Sequence, residues 1–255
     1  MTTRPSTFRR TLGSRLGLGR PASAPGHDWV VAMPRIVLTL LALMVLVFVI
    51  GWVLPRQAAW RLDYALGFVP ARFAAVIGGD YGVVRGAGPL LSHVFVHGNL
   101  THIVVNAMGL AIFGTAVARR LRVEGGGARN AGLFLGFFFA SGVAGALCYG
   151  LVNAGSGILL VGASGAISGL MAGAMRFALR ALAPYGPQEG PLAPLTAYPV
   201  VTASAVYVGF NLLTPLGLGR LIGAGLPIAW EAHVGGYLFG LLAFPLFDRA
   251  VRRPA

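Results

Sequence analysis

Six apolar runs, each near the length of a bilayer crossing, dominate this chain and leave little for a water-facing domain. They are Ile36–Leu54, Leu100–Ala118, Ala131–Val152, Gly162–Leu182, Tyr198–Leu213 and Ile228–Phe247. A helix needs about 20 apolar residues to cross the hydrocarbon layer. Only helices and closed barrels satisfy their backbone there, and these runs lack the period-two alternation of barrel strands. Charged residues make up 11% of the 255 and the mean hydropathy is +0.75, whereas soluble domains carry about 25% charge. The expectation is an all-α integral membrane protein, a bundle of six transmembrane helices over residues 36–247.

Charge sets the expected orientation. All 20 basic residues are arginine. They gather before the first run, between the second and third (Arg119, Arg120, Arg122, Arg129), after the fourth (Arg176, Arg180) and after the sixth (Arg249, Arg252, Arg253). Only Arg56, Arg61, Arg72, Arg85 and Arg220 fall in the connections on the other side. The positive-inside rule then predicts that both termini are cytoplasmic. A net charge of +13 would suggest nucleic acid in a soluble protein. Here the arginines lie in tails and loops, so a lipid bilayer is the expected partner and nucleic acid is not. Residues 1–35 read as a disordered basic cytoplasmic tail, with an organelle transit peptide as the competing reading. Residues 248–255 read as a short basic cytoplasmic tail. The expected location is the bacterial cytoplasmic membrane, as a multi-pass protein. The long connection from Arg56 to Leu91 faces outside, and its apolar residues suit the interface. No internal repeat of the transporter kind is visible. The single cysteine, Cys148, excludes an internal disulfide framework. No Cys/His cluster has zinc spacing, so no zinc site is expected.

On this topology the second, fourth and sixth helices run from outside to inside, and each begins with polar residues. These are His102 and Asn106, then Ser164, then His233. A bundle would hold them at one depth, in the outer half of the membrane. His102 and Asn106 share a helix face at i, i+4. They can donate to an anion, or serve as interhelical hydrogen-bonding glue. His93 and His97 have helical ligand spacing, but no carboxylate or cysteine completes a metal set, and a structural role in the outer loop is expected. Ser164 opens a helix among glycines, where free N–H groups and the helix dipole favour an oxyanion. It can equally be one more small packing residue. Gly165, Gly169 and Gly173 form a small-xxx-small stripe, and Gly236 and Gly240 form a second one beside His233. If the two glycine faces meet, His233 is drawn against Ser164 and can take its proton as a general base. Glu231, two residues from His233, points elsewhere.

The motifs carry a family resemblance. Gly162-Ala163-Ser164-Gly165 resembles the Gly-x-Ser-Gly motif of the rhomboid intramembrane serine proteases. His102 to Asn106 resembles their His-x-x-x-Asn motif, and Ala232-His233 with Gly236 and Gly240 is similar to their sixth-helix motif. The resemblance implies a six-helix rhomboid-like bundle that cleaves transmembrane protein substrates near the outer face. It implies a dyad of Ser164 as nucleophile and His233 as base. It assigns oxyanion stabilisation to His102, Asn106 and the Ser164 N–H, and it implies no cofactor. Two positions depart from the pattern. Ser168 stands where many rhomboids have an aromatic residue packed on the histidine, and the Trp-Arg pair of the outer loop is missing at Gly88-Pro89-Leu90-Leu91. The alternatives are a catalytically inactive rhomboid-like protein that binds transmembrane helices, and a small-solute channel or transporter.

Overall fold

A computed structural model describes residues 33–80, 82–178, 190–216 and 228–252. Residues 1–32 of the expected N-terminal tail, Arg180, Arg220 and Arg253 lie outside these residues, and Arg35, the last residue of that tail, is the first of a helix. The helices in chain order are α1 (Arg35–Val53), α2 (Arg56–Leu66), α3 (Pro70–Ile77), α4 (Val83–Ala87), α5 (Pro89–Ser92), α6 (Leu100–Gly109), α7 (Thr115–Arg120), α8 (Gly127–Val152), α9 (Ser164–Ala178), α10 (Tyr198–Leu213) and α11 (Trp230–Arg252). A π turn at Leu110–Gly114 joins α6 to α7, so that Leu100–Arg120 is one continuous rod.

Five of these segments are long and apolar enough to cross a membrane: Arg35–Val53, Leu100–Arg120, Gly127–Val152, Tyr198–Leu216 and Trp230–Arg252. The fourth apolar run of the sequence begins its helix at Ser164, and its described residues end at Ala178. The chain is a multi-pass membrane protein, with five candidate spans among the described residues. The connection from Arg56 to Ser92 is built from short helices. On α2, Trp60 stacks on Tyr64 with ring centroids 5.0 Å apart, and Trp60 stays exposed. Trp and Tyr in that setting suit the level of the lipid headgroups.

Glycine decides how the central helices meet. A Cβ on Gly236 would overlap the carbonyl of Gly165, and one on Gly240 would overlap the backbone of Gly169. The backbones of α9 and α11 therefore touch directly, as small-xxx-small faces permit. On the other side of α9, Ser141 of α8 fills the space beside Gly169, and Phe137 and Phe244 pack at Gly173. Pairs up the stack (Ser164 with His233, Gly169 with Gly240, Phe177 with Phe244) show that α9 and α11 run in the same direction. The rod α6–α7 runs with them, since His102 lies beside Gly162, Gly109 beside Ile167, and Arg120 over the Phe177 ring. The three helices that begin with polar residues are thus parallel neighbours. Their far ends are tied by a buried ion pair, Arg120 Nε to Asp248 Oδ1 at 2.6 Å, and a second bond from Arg120 Nη2 to Asp248 Oδ2 at 3.1 Å. Between the two polar ends lies an aromatic core of Phe134, Phe137, Phe138, Phe177 and Phe244.

The close approach makes a prediction. Gly240→Ala forces apart two backbones that cannot move independently, and overpacking of this kind costs about 1–3 kcal/mol. Gly209→Ala, where a Cβ meets nothing within 4 Å, should not destabilise and should gain up to about 1 kcal/mol from the helix preference of alanine over glycine. Thermal unfolding in one detergent, compared between the two variants, measures the difference.

Candidate active site

The site is assembled from three helix starts and one helix end. At the start of α6, Asn99 caps the helix, its side-chain oxygen accepting from the His102 N–H at 2.8 Å. Such a cap satisfies an otherwise orphaned donor and fixes where the first turn begins. It thereby fixes the direction of the His102 side chain. One turn on, Asn106 is buried and donates its Nδ2 to the His102 carbonyl at 2.8 Å. Its Oδ1 has no partner, and one Nδ2 hydrogen remains unspent. Among the described residues no hydrogen bond joins Asn106 to Ser164.

The segment leading to Ser164 is held from two sides. Phe68 and Leu160 form an antiparallel bridge with backbone bonds of 3.0 and 2.8 Å. Two residues on, the Gly162 N–H donates to the His93 carbonyl at 2.9 Å. Gly162 has φ +109°, a conformation that a side chain rarely adopts. A Cβ there would also run into the His102 ring, with Nε2 and Cε1 the nearest atoms. The histidine of α6 therefore lies directly over the turn that delivers Ser164. His93 is 2% exposed and lies outside the spans. Burial lowers its pKa to about 4, so the ring is neutral and its Nδ1–H donates to the Pro89 carbonyl at 2.9 Å. Its bonds join the loop before α6 to the serine turn. His97 packs edge-on against His102, centroids 5.1 Å apart. Among the described residues no group of three His, Cys, Asp or Glu is placed to hold a metal.

Ser164 is the first residue of α9, so its N–H is one of the four that a helix start leaves without an intrahelical acceptor. The touching glycine faces bring α11 alongside, and His233 Nε2 lies 2.8 Å from Ser164 Oγ. The other ring nitrogen, Nδ1, lies 2.8 Å from Asn211 Oδ1. A carbonyl oxygen only accepts, so Nδ1 carries the proton and Nε2 is bare to receive the Ser164 hydroxyl proton. The Asn211 amide cannot be the other way round. Its Nδ2 donates to the Tyr207 carbonyl at 2.9 Å, and a flipped amide would set two oxygens together there. Chemically, the arrangement sets an imidazole of fixed tautomer where it can take the hydroxyl proton, at a helix start able to receive negative charge.

Sequence reasoning passed over Asn211. It sits near the C-terminal end of α10, and α10 runs antiparallel to α11: Ser204 and Tyr207 meet Tyr237, and Asn211 meets His233. The end of α10 thus reaches the depth of the starts of α6, α9 and α11. A lone amide in the apolar run Tyr198–Leu213 was the available signal. Ser168, in place of an aromatic, is also part of the site. Its hydroxyl donates to the Ser164 carbonyl at 2.6 Å, and the Tyr207 hydroxyl lies 2.6 Å from it. A serine has one proton to give, so Tyr207 is the donor in the second bond. Glu231 turns away from the dyad. It is buried, and its Oε1 accepts from Asn153 Nδ2 at 3.0 Å.

Two comparisons with known proteins bear on this arrangement. A family model described as Rhomboid domain matches residues 84–249, which include every residue of the constellation. No curated protein matches the chain.

Proposed function

Because the chain belongs to the rhomboid family, we propose that it is an intramembrane serine endopeptidase that cleaves transmembrane protein substrates near the outer membrane face. The observation that carries this reading is the 2.8 Å approach of His233 Nε2 to Ser164 Oγ, with the imidazole proton on the opposite nitrogen. In the proposed reaction Ser164 Oγ attacks the substrate carbonyl and its proton passes to His233 Nε2. The oxyanion forms at the start of α9, where the Ser164 N–H and the His102 side chain are at hand and Asn106 offers its unspent amide hydrogen. His233 then gives the proton to the leaving amine. It next takes one from a water molecule, whose oxygen attacks the acyl-enzyme, and Ser164 is released with its proton restored. Water has to reach this depth for the acyl-enzyme to be hydrolysed, among His102 and Asn106 of α6 and His233 of α11. The substrate helix unwinds locally and enters from the lipid side past α10. No metal or organic cofactor takes part in these steps. Both termini are cytoplasmic in this reading.

A fluorophosphonate probe tests it, because such reagents phosphonylate a serine only when it is activated. Wild type in detergent is expected to be labelled, with labelling lost in Ser164→Ala. Absence of labelling in folded wild type, together with failure to cleave a transmembrane substrate, would reject the protease reading. A catalytically silent member that binds transmembrane helices would then stand in its place.

A further inference from the structure

The dyad of the proposed protease has a third partner that its sequence motifs do not contain. We propose that Asn211 is a positioning residue for the reaction, its amide oxygen holding His233 as the Nδ1–H tautomer with Nε2 turned to Ser164. This rests on the protease reading above. Its support is a chain of directed hydrogen bonds. The Tyr207 carbonyl fixes the Asn211 amide nitrogen at 2.9 Å, which leaves the oxygen for His233 Nδ1 at 2.8 Å. The Thr214 hydroxyl donates to the Asn211 carbonyl at 2.7 Å and steadies the helix end that bears it. Asn211 is 2% exposed, so water does not compete for the amide.

Charge explains why an amide stands there. A carboxylate at Asn211 would sit in the membrane bundle with only a neutral imidazole opposite, and an uncompensated charge there is expensive. An amide orients the ring without that penalty. The Cys-His-Asn arrangement of papain-like proteases uses a neutral amide in the same place.

The alternative is that Asn211 merely satisfies its own buried polar atoms. The two roles differ in what happens to His233. Removing the acceptor strands the Nδ1–H in a dry site, and the proton is then better placed on Nε2, where Ser164 Oγ can accept it. The serine would face a donor and lose its base. The experiment therefore combines steady-state cleavage of a transmembrane substrate with 15N spectra of histidine-labelled protein in micelles. The chain has five histidines, so the His233 signals are assigned from their loss in His233→Ala. Wild type should show the Nδ1–H tautomer. Asn211→Leu should lower kcat about 10- to 100-fold with KM within about two-fold, the effect of a misplaced catalytic group, and should populate the Nε2–H form. Asn211→Gln keeps a neutral amide acceptor and should hold more of the Nδ1–H tautomer and of kcat than Asn211→Leu. The proposal is overturned if Asn211→Leu keeps the Nδ1–H tautomer, or if it loses that tautomer and keeps the wild-type kcat. An inactive wild type that nonetheless shows the Nδ1–H tautomer, lost in Asn211→Leu, would reject the protease reading alone, leaving the bond as described.

Discussion

His233→Ala and Ser164→Ala are each expected to lower cleavage of a transmembrane substrate by about 10^4- to 10^6-fold, and the double variant no further. The size follows from how little else can stand in for either group. The Ser164 hydroxyl has one base within hydrogen-bonding reach among the described residues, His233 Nε2 at 2.8 Å. Three other polar groups near the turn are committed. The Ser168 proton goes to the Ser164 carbonyl, His93 donates to Pro89, and Glu231 faces Asn153. Without His233 the serine has no route for its proton, and without Ser164 the histidine has no nucleophile to activate. Two groups that act only together give non-additive losses. Rates measured by product formation over hours for the two singles and the double are the test. A His233→Ala variant within 100-fold of wild type, or losses that multiply in the double, would mean that the two residues do not act as one unit.

How much of this was legible before the structure depends on what each residue had to signal. His102, Ser164 and His233 stand at the starts of apolar runs, and helix direction alone assigns them a common depth. Gly165, Gly169, Gly236 and Gly240 could be read because four-residue spacing of small residues marks a helix face. The contacts at Gly236 and Gly240 give those stripes their physical meaning, a direct meeting of two backbones. Asn211 was not legible because it stands at a helix end, and only the antiparallel course of α10 brings that end to the depth of the helix starts. The short helices between α1 and α6 were not legible for a different reason. Elements such as α4, with five residues, are too short to display a period. The Phe68–Leu160 bridge and the bond from Gly162 to His93 join residues far apart in sequence, and no local pattern encodes such pairings. Ser168 read as the loss of an aromatic contact. In the fold it joins α9 to Tyr207 of α10, so the same substitution that removes one restraint on the site is matched by polar bonds from the neighbouring helix.

The turn at Gly162 ties the oxyanion side of the site to a single backbone conformation, and this leads to the second large effect. His102→Ala should lower kcat by about 10^2- to 10^3-fold with KM little changed, as expected of a donor used mainly in the transition state. Gly162→Ala should do comparable damage although alanine carries no functional group. It meets two separate obstacles. At φ +109° an L-residue is strained, by about 1–3 kcal/mol. Its Cβ would also occupy the position of the His102 ring. The ring cannot retreat freely, because the Asn99 cap fixes the first turn of α6 and His97 packs against its edge. Either the ring leaves the oxyanion side or the turn shifts Ser164 away from His233, and both outcomes slow the reaction. The double variant separates the two obstacles. With His102 already alanine, the steric conflict is gone and only the backbone strain remains. Gly162→Ala should then cost less in the His102→Ala background than in wild type, so the double loses less than the product of the two singles. Steady-state rates for the four proteins complete the cycle. Independent, fully multiplicative losses would show that the His102 ring and the Gly162 turn do not share that space during catalysis, and a His102→Ala variant altered only in KM would move His102 from the oxyanion to substrate binding.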